Sequence, residues 1–340
     1  MKTRARTTNL FVRLIEDGLL VSAGFLVVLL AIYRINEPTA LDPIQFKFTV
    51  INASLSLALA AAGLALVVLV GGLDMSSAGI IALANAILTS YFPENLVPQL
   101  LLLLLVIGIG VAIGILNGFI VHRFDLEPVV VTLATGFVMS GIALLVLPAP
   151  AGLPEVKGFS LIAFVTSDMM QVPVGGMILV AIGIGWIFLR RSRLGSNLIA
   201  IGSDKESAAY TGINVRKTTL FAFGTAGGLY ALAGIAVTSQ TSGGDPQLGA
   251  GFLLGSFAAV VIGGLRLGGG RGSLIGAIMG ALAVTVSINV LFVMGFATYW
   301  TYIARGALLL SAIAVQAMAM VLIRRNRKAV KPVEFVKDMS

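Results

Sequence analysis

The strongest constraint on this chain is a set of apolar runs as long as a bilayer is thick, unbroken by any charge. Residues 50–70, 100–121 and 272–294 contain no Asp, Glu, Lys or Arg, and about 20 such residues in a helix cross a hydrocarbon core of roughly 30 Å. Composition agrees: 58% of the 340 residues are hydrophobic and only 11% are charged. With a mean hydropathy of +1.01, there is too little polar surface to cover a soluble globule. The chain belongs in lipid.

Ten apolar spans are expected, near 18–33, 49–70, 75–92, 99–121, 128–147, 171–189, 218–239, 248–265, 272–294 and 301–323. The eighth reaches adequate length only by including Gly249, Gly251 and Gly255, and it ends against Arg266. The first follows a basic segment (Lys2, Arg4, Arg6, Arg13) but no small-residue cleavage site succeeds it, so it reads as a retained span. An even count puts both termini on one side. If that side is the cytoplasm, 19 of the 23 Lys and Arg lie in tails and cytoplasmic loops; Arg34, Lys47 and Lys157 fall outside and Arg305 lies within the last span. That is a strong positive-inside bias. The same distribution explains the net charge of +8 without any nucleic-acid partner.

The expected fold is therefore an all-α polytopic membrane protein, one transmembrane domain over 1–340. It has cytoplasmic tails at 1–17 and 324–340 and a polar cytoplasmic loop at 190–217. A second long connection, 148–170, is extracytoplasmic; Pro148, Pro150, Gly152 and Pro154 make it a poor helix until well past 154. It is either a plain connector or a docking surface. Glycines recur four apart at Gly110, Gly114 and Gly118 and at Gly272, Gly276 and Gly280. Such spacing lets helices approach closely in lipid, within one subunit or across a dimer seam.

Several chemistries are missing. There is no cysteine, hence no disulfide or thiolate site, and the single histidine, His122, stands beside Arg123 as an interfacial residue. No Gly-x-x-x-x-Gly-Lys-Ser/Thr occurs, and Gly268-Gly269-Gly270-Arg271-Gly272-Ser273 lacks the lysine and reads as a tight turn. No metal-spaced acid and histidine cluster is visible either. The chain is expected to bind no cofactor and to perform no covalent chemistry.

The loop 190–217 carries helix signals of its own. Ser203 and Glu206 have capping-box spacing, and Gly212 suits a C-terminal cap, so a two-turn helix over 204–211 is expected. A helix that short is marginal alone and needs something to dock against. The alternatives are a solvated positive-inside loop and a coupling helix that enters a partner's groove.

Glu206-Ser207-Ala208 followed by Gly212-Ile213-Asn214-Val215 resembles the Glu-Ala-Ala...Gly loop of binding-protein-dependent ABC importer permeases, with Ser207 replacing the second motif residue. The flanking Arg193-Leu194-Gly195 and Ala200-Ile201-Gly202 resemble the ribose, xylose and galactose permease family. So do Gly71-Gly72-Leu73-Asp74-Met75-Ser76, Leu116-Asn117-Gly118 with 128–135, Ala231-Leu232-Ala233-Gly234-Ile235, and 258–264 with 269–273. The resemblance implies ten spans in a bacterial inner membrane and a partner ABC ATPase that holds ATP and Mg. It also implies a periplasmic sugar-binding protein and a second permease, copy or paralogue. It assigns ATPase coupling to Ser203, Asp204, Glu206, Ser207, Ala208 and Gly212. In one place the chain departs from the pattern: Leu253-Leu254-Gly255 stands where the family usually has Glu-Leu-Asp. That points to a different substrate or to a heterodimeric partner that keeps the acids.

Asp74 is placed to cap a new helix or to serve in gating. Arg305 can snorkel outward or pair with an acid. A sugar path needs hydrogen-bonding side chains and not ions, and Asn52, Asn85, Asn117, Thr132, Thr135 and Asn289 fit, with Phe137 as a wall; each of the polar six fits interhelical bonding equally. The competing function is an ion-coupled secondary transporter, which glycine-interrupted spans would suit. The near absence of acids in the spans opposes it. A channel lacks any filter signature.

Overall fold

The computed structural model describes residues 19–297 apart from 159 and 170, then 299, 300, 303, 304, 306, 307, 310 and 314. The tails 1–17 and 324–340 and Arg305 lie outside the described residues, as does most of the expected span 301–323. The described chain is mostly helical: α1 (Leu19–Asn36), α2 (Pro43–Leu69), α3 (Ser77–Tyr91), α4 (Leu96–Phe124), α5 (Pro128–Val146), α6 (Leu161–Val165), α7 (Val174–Arg191), α8 (Arg193–Ser203), α9 (Lys205–Tyr210), α10 (Val215–Thr241), α11 (Gly249–Ile262) and α12 (Leu274–Val293). Six of these, α2, α4, α5, α7, α10 and α12, are long and apolar enough to cross a membrane. Three shorter apolar helices, α1, α3 and α11, fall on other expected spans. Ten full spans are therefore not reached among the described residues.

The shortfall has a physical reason. At about 1.5 Å per residue, the 15 residues of α3 and the 14 of α11 fall short of the bilayer core. Each follows a glycine-containing break in the chain, at 70–76 and at 242–248.

Two antiparallel helices form the hub. The start of α2 meets the end of α10, where Ser56 Oγ donates to Gln240 Oε1 at 2.9 Å, and the Tyr230 ring lies across Gly63 at mid-span. Every residue of α2 from Ser54 to Leu69 is buried. Around this pair, α4 and α3 pack on α10, α11 and α12 pack on α2, α5 covers α3 and α1 covers α12. The outer helices show lipid-like faces, with Leu101, Leu104 and Leu105 of α4 and Leu145 of α5 exposed.

The glycine seams close within the chain. A Cβ at Gly110 or Gly114 would strike the Gly227 or Phe223 carbonyl of α10, and one at Gly276 or Gly280 would strike Gly263, which ends α11, or Ala259 within it. Backbones that close gain dispersion where burial of apolar area offers nothing.

The long connection after α5 is more than a plain linker. Its β1 (Ala151–Gly152) pairs antiparallel with β4 (Gly243–Gly244) in the second break, and β2 (Asp168–Met169) pairs with β3 (Val172–Pro173). Ser160 caps α6 by accepting the Ala163 amide at 3.3 Å, and Lys47 Nζ reaches Asp168 Oδ2 at 2.8 Å. These contacts gather at one end of the bundle, and α8 and α9 occupy the other.

Candidate functional site

The polar insert 190–217 folds as two short helices. Ser192 caps α8, accepting the Gly195 amide, and α8 buries Gly195, Leu198 and Ile201 against the bundle. The expected Ser203–Glu206 capping box does not form. Ser203 ends α8 with its Oγ donating to the Ile199 carbonyl at 2.8 Å, and Asp204 caps α9 instead. Its Oδ1 accepts the Ser207 amide at 3.0 Å and its Oδ2 accepts the Ser207 hydroxyl at 2.8 Å. An ionised carboxylate does this better than a serine can. Those bonds, backbone first, hold the Asp204 carboxyl below its ordinary pKa.

At the far end Gly212 takes φ +84°. Its amide donates to the Ala209 carbonyl at 3.0 Å and the Ile213 amide donates to Ala208 at 3.2 Å. These two bonds complete a Schellman cap. Asn214 Oδ1 then accepts the Lys217 amide to start α10. Helix α9 is thus closed at both ends, anchored through buried Ala208, and otherwise exposed, with Tyr210 90% accessible. Lys205 Nζ bonds Asp125 Oδ1 in the α4–α5 turn at 3.0 Å, and that bond and charge keep the Asp125 carboxyl low.

Beneath α8 and α9 lies a cavity of about 250 Å³, lined by Gly71, Gly72, His122, Glu127, Ile201 and Phe223 among others. Its floor is the first break, where Gly71 has φ +83°. Here Asp74, fully buried, accepts the Ser76 amide at 2.8 Å and the Ser76 hydroxyl at 2.6 Å on the same Oδ1. It thus braces the turn ahead of α3, whose N-cap is Ser76 and carries no side-chain cap bond. Asn117 Nδ2 donates to Ser76 Oγ at 3.1 Å, Thr135 Oγ1 donates to Asn117 Oδ1 at 2.7 Å, and Thr132 Oγ1 accepts the Met75 amide at 2.9 Å. Three of the expected path residues therefore converge with Asp74 on one break, bound from α4 and α5. Asp74 Oδ2 and Tyr230 Oη are both buried, near enough to each other to interact.

The remaining path residues sit elsewhere. Asn85 clamps the second break: its Nδ2 donates to Thr238 Oγ1 at 2.8 Å and to the Gly243 carbonyl at 3.0 Å, and its Oδ1 accepts the Asp245 amide at 2.9 Å. Asn52 Nδ2 donates to the Thr166 carbonyl at 2.9 Å while its own carbonyl accepts Gln240 Nε2. Asn289 Nδ2 donates to the Thr49 carbonyl in the π-helical turn Lys47–Asn52. Phe137, 71% exposed on α5, faces outward. Gly255, in the stretch Leu253-Leu254-Gly255, is buried with its Cα against Leu57 of α2.

Sequence reading missed Gln240, Tyr230 and Asp245. A signal for the last was present, since Gly-Gly followed closely by Asp occurs at both 71–74 and 243–245. Among the described residues no group of three His, Asp or Glu side chains could hold a metal ion.

Residues 47–313 match a family model described as the branched-chain amino acid transport system / permease component. A ribose import permease protein of Haemophilus influenzae is 31% identical over 294 residues, 85% of this chain and 90% of that protein. The galactose/methyl galactoside import permease protein of Escherichia coli is 29% identical over 86% of this chain and 92% of its own length. A fructose import permease protein of Bifidobacterium longum is 30% identical over 76% and 79% respectively. No solved structure matches.

Proposed function

Because the chain belongs to the family of branched-chain amino acid transport system permease components, we propose that it is the membrane subunit of an ATP-binding-cassette importer. In this reading it carries a monosaccharide or similar small polyol across a bacterial inner membrane. ATP and Mg are bound by a separate cytoplasmic ATPase, a periplasmic binding protein delivers the solute, and a second permease completes the path. The chain has ten spans with both termini in the cytoplasm, and 190–217 faces the ATPase.

The observation that carries the reading is α9. A six-residue helix has too few hydrogen bonds to persist unaided, yet this one is capped at both ends and presents Glu206 and Tyr210 to the outside. A preformed projection of that kind loses little entropy on docking. Ribose, galactose and fructose importer components among the relatives support a sugar as cargo. Transport is then a nucleotide-biased equilibrium between open states, with no bond made or broken in this subunit.

Buried Asp74 beside a helix break keeps one other reading in view, an ion-coupled carrier of a small polar solute. Affinity purification of the tagged chain from its own membranes separates the two. Recovery of a P-loop ATPase, lost on replacing Glu206 and Gly212 together, is the expected result. A chain recovered alone that transports in proteoliposomes on an ion gradient would establish the carrier.

A further inference from the structure

The end of α8 meets the first break backbone to backbone. Gly202, two residues before the Asp204 cap of α9, has its Cα against the Leu69 carbonyl and the Gly270 amide; a Cβ there would collide with the first and lie 2.5 Å from the second. A Cβ on Gly269 would lie 2.7 Å from Gly71 Cα and 2.8 Å from the Gly202 carbonyl oxygen, and one on Gly270 would lie 2.7 Å from the Ser203 amide. The Gly270 amide donates to the Leu69 carbonyl at 3.2 Å. Gly71, Gly269 and Gly270 hold φ of +83°, +83° and +71°, which side chains rarely adopt. Three segments, the end of α2, the end of α8 and the α11–α12 turn, therefore meet largely backbone to backbone, with the Ser203 hydroxyl beside Gly270.

Besides buried Ala208, α9 has an attachment of a different kind. Lys205–Asp125 is an exposed pair with side chains 56% and 86% accessible, and such pairs hold weakly. It spans the 250 Å³ cavity, which leaves room to move. A displacement of α9 would therefore meet little resistance on the cavity side and close-packed backbone at the glycines, and close packing transmits strain.

We propose that the Gly202–Gly270–Leu69 junction is the relay that carries movement of α9 into the first break, and so to Asp74 and the start of α3. This rests on the reading that α9 docks on the ATPase. These glycines are positioning residues and touch no solute.

The test is hydrogen exchange on the complex purified through the tagged chain, with and without a non-hydrolysable ATP analogue and Mg. In the wild type, exchange across 69–76 should change on the order of tenfold together with 200–210. In Gly202→Ala the response at 204–210 should remain while that at 69–76 is lost, whereas Gly268→Ala, whose Cβ meets nothing within 4 Å, should behave as wild type. A merely structural defect would move both segments alike. A wild-type response at 204–210 with none at 69–76 overturns the relay but leaves the docking reading standing, as does a Gly202→Ala complex that still responds at 69–76. Absence of a response at 204–210, or of any ATPase, overturns both. If Gly202→Ala does not assemble, the wild-type comparison alone decides.

Discussion

The two breaks in the bundle share a local design and differ in what moors them. Each follows a hub helix, each has two glycines, and in each an aspartate accepts the amide two residues on, Asp74 from Ser76 and Asp245 from Gln247, both at 2.8 Å. The hub helices run antiparallel, so the breaks lie at opposite ends. At the first break the aspartate is fully buried and tied through Ser76 to Asn117 and Thr135. At the second, Asp245 is part-exposed and the mooring comes from Asn85 and the β1–β4 pairing. The same turn chemistry is built into the core at one end and onto a loop at the other. The first break is therefore expected to follow α8 and α9, and the second to follow 148–173.

Substitutions can break that contrast. Asp74→Ala strands the Ser76 amide and hydroxyl in the interior, which costs roughly 2–4 kcal/mol, while Asp245→Ala should cost under about 1 kcal/mol because water can replace a part-exposed acceptor. Thermal unfolding in detergent compares them directly, and equal losses would end the distinction. Asn85→Ala removes three bonds at the second break, about 2 kcal/mol. Faster amide exchange should appear across 243–247 and not across 70–76.

Gly212→Ala forces a Cβ into φ +84° and costs about 1 kcal/mol, fraying α9 and reducing ATPase recovery without lowering the amount of chain in the membrane. The smallest effect is that of pH. Asp125 and Asp204 titrate below the ordinary value of 3.8 in the folded chain. What they contribute is complete above that value and is lost only as pH falls through the lower folded one. Amide protection across 205–210, corrected for intrinsic rates, should therefore be flat from pH 8 to about 5 and decline below about 4.

What the sequence disclosed follows the range over which each feature is fixed. The Gly212 cap depends on neighbours within a few residues, and it was legible. Asp204 took the cap expected of Ser203 because a carboxylate can accept two bonds from Ser207, a choice between adjacent candidates that spacing alone does not make. The asparagines and threonines were recognisable as buried hydrogen-bonding groups, but their partners lie far off along the chain: Asn52 with Thr166, Asn85 with Thr238, Asn289 with Thr49. The two-residue strands are too short to leave a pattern. Even so, the glycine periodicity of α4 and α12 did announce close helix contacts, because a missing side chain has the same meaning wherever its partner comes from.

The complete burial of Ser54–Leu69 in α2 bears on how the protein is made. From Ser54 to Leu69 it ends up touching almost nothing but other helices, yet it is synthesised long before α10 and α12, its main cover. At about 5–20 residues per second, the ribosome needs on the order of ten seconds or more to reach α10. During that interval α2 lacks its main cover. Its all-round apolar character is suited to this waiting period, in which any one-sided polar stripe tuned to its final neighbours would face hydrocarbon.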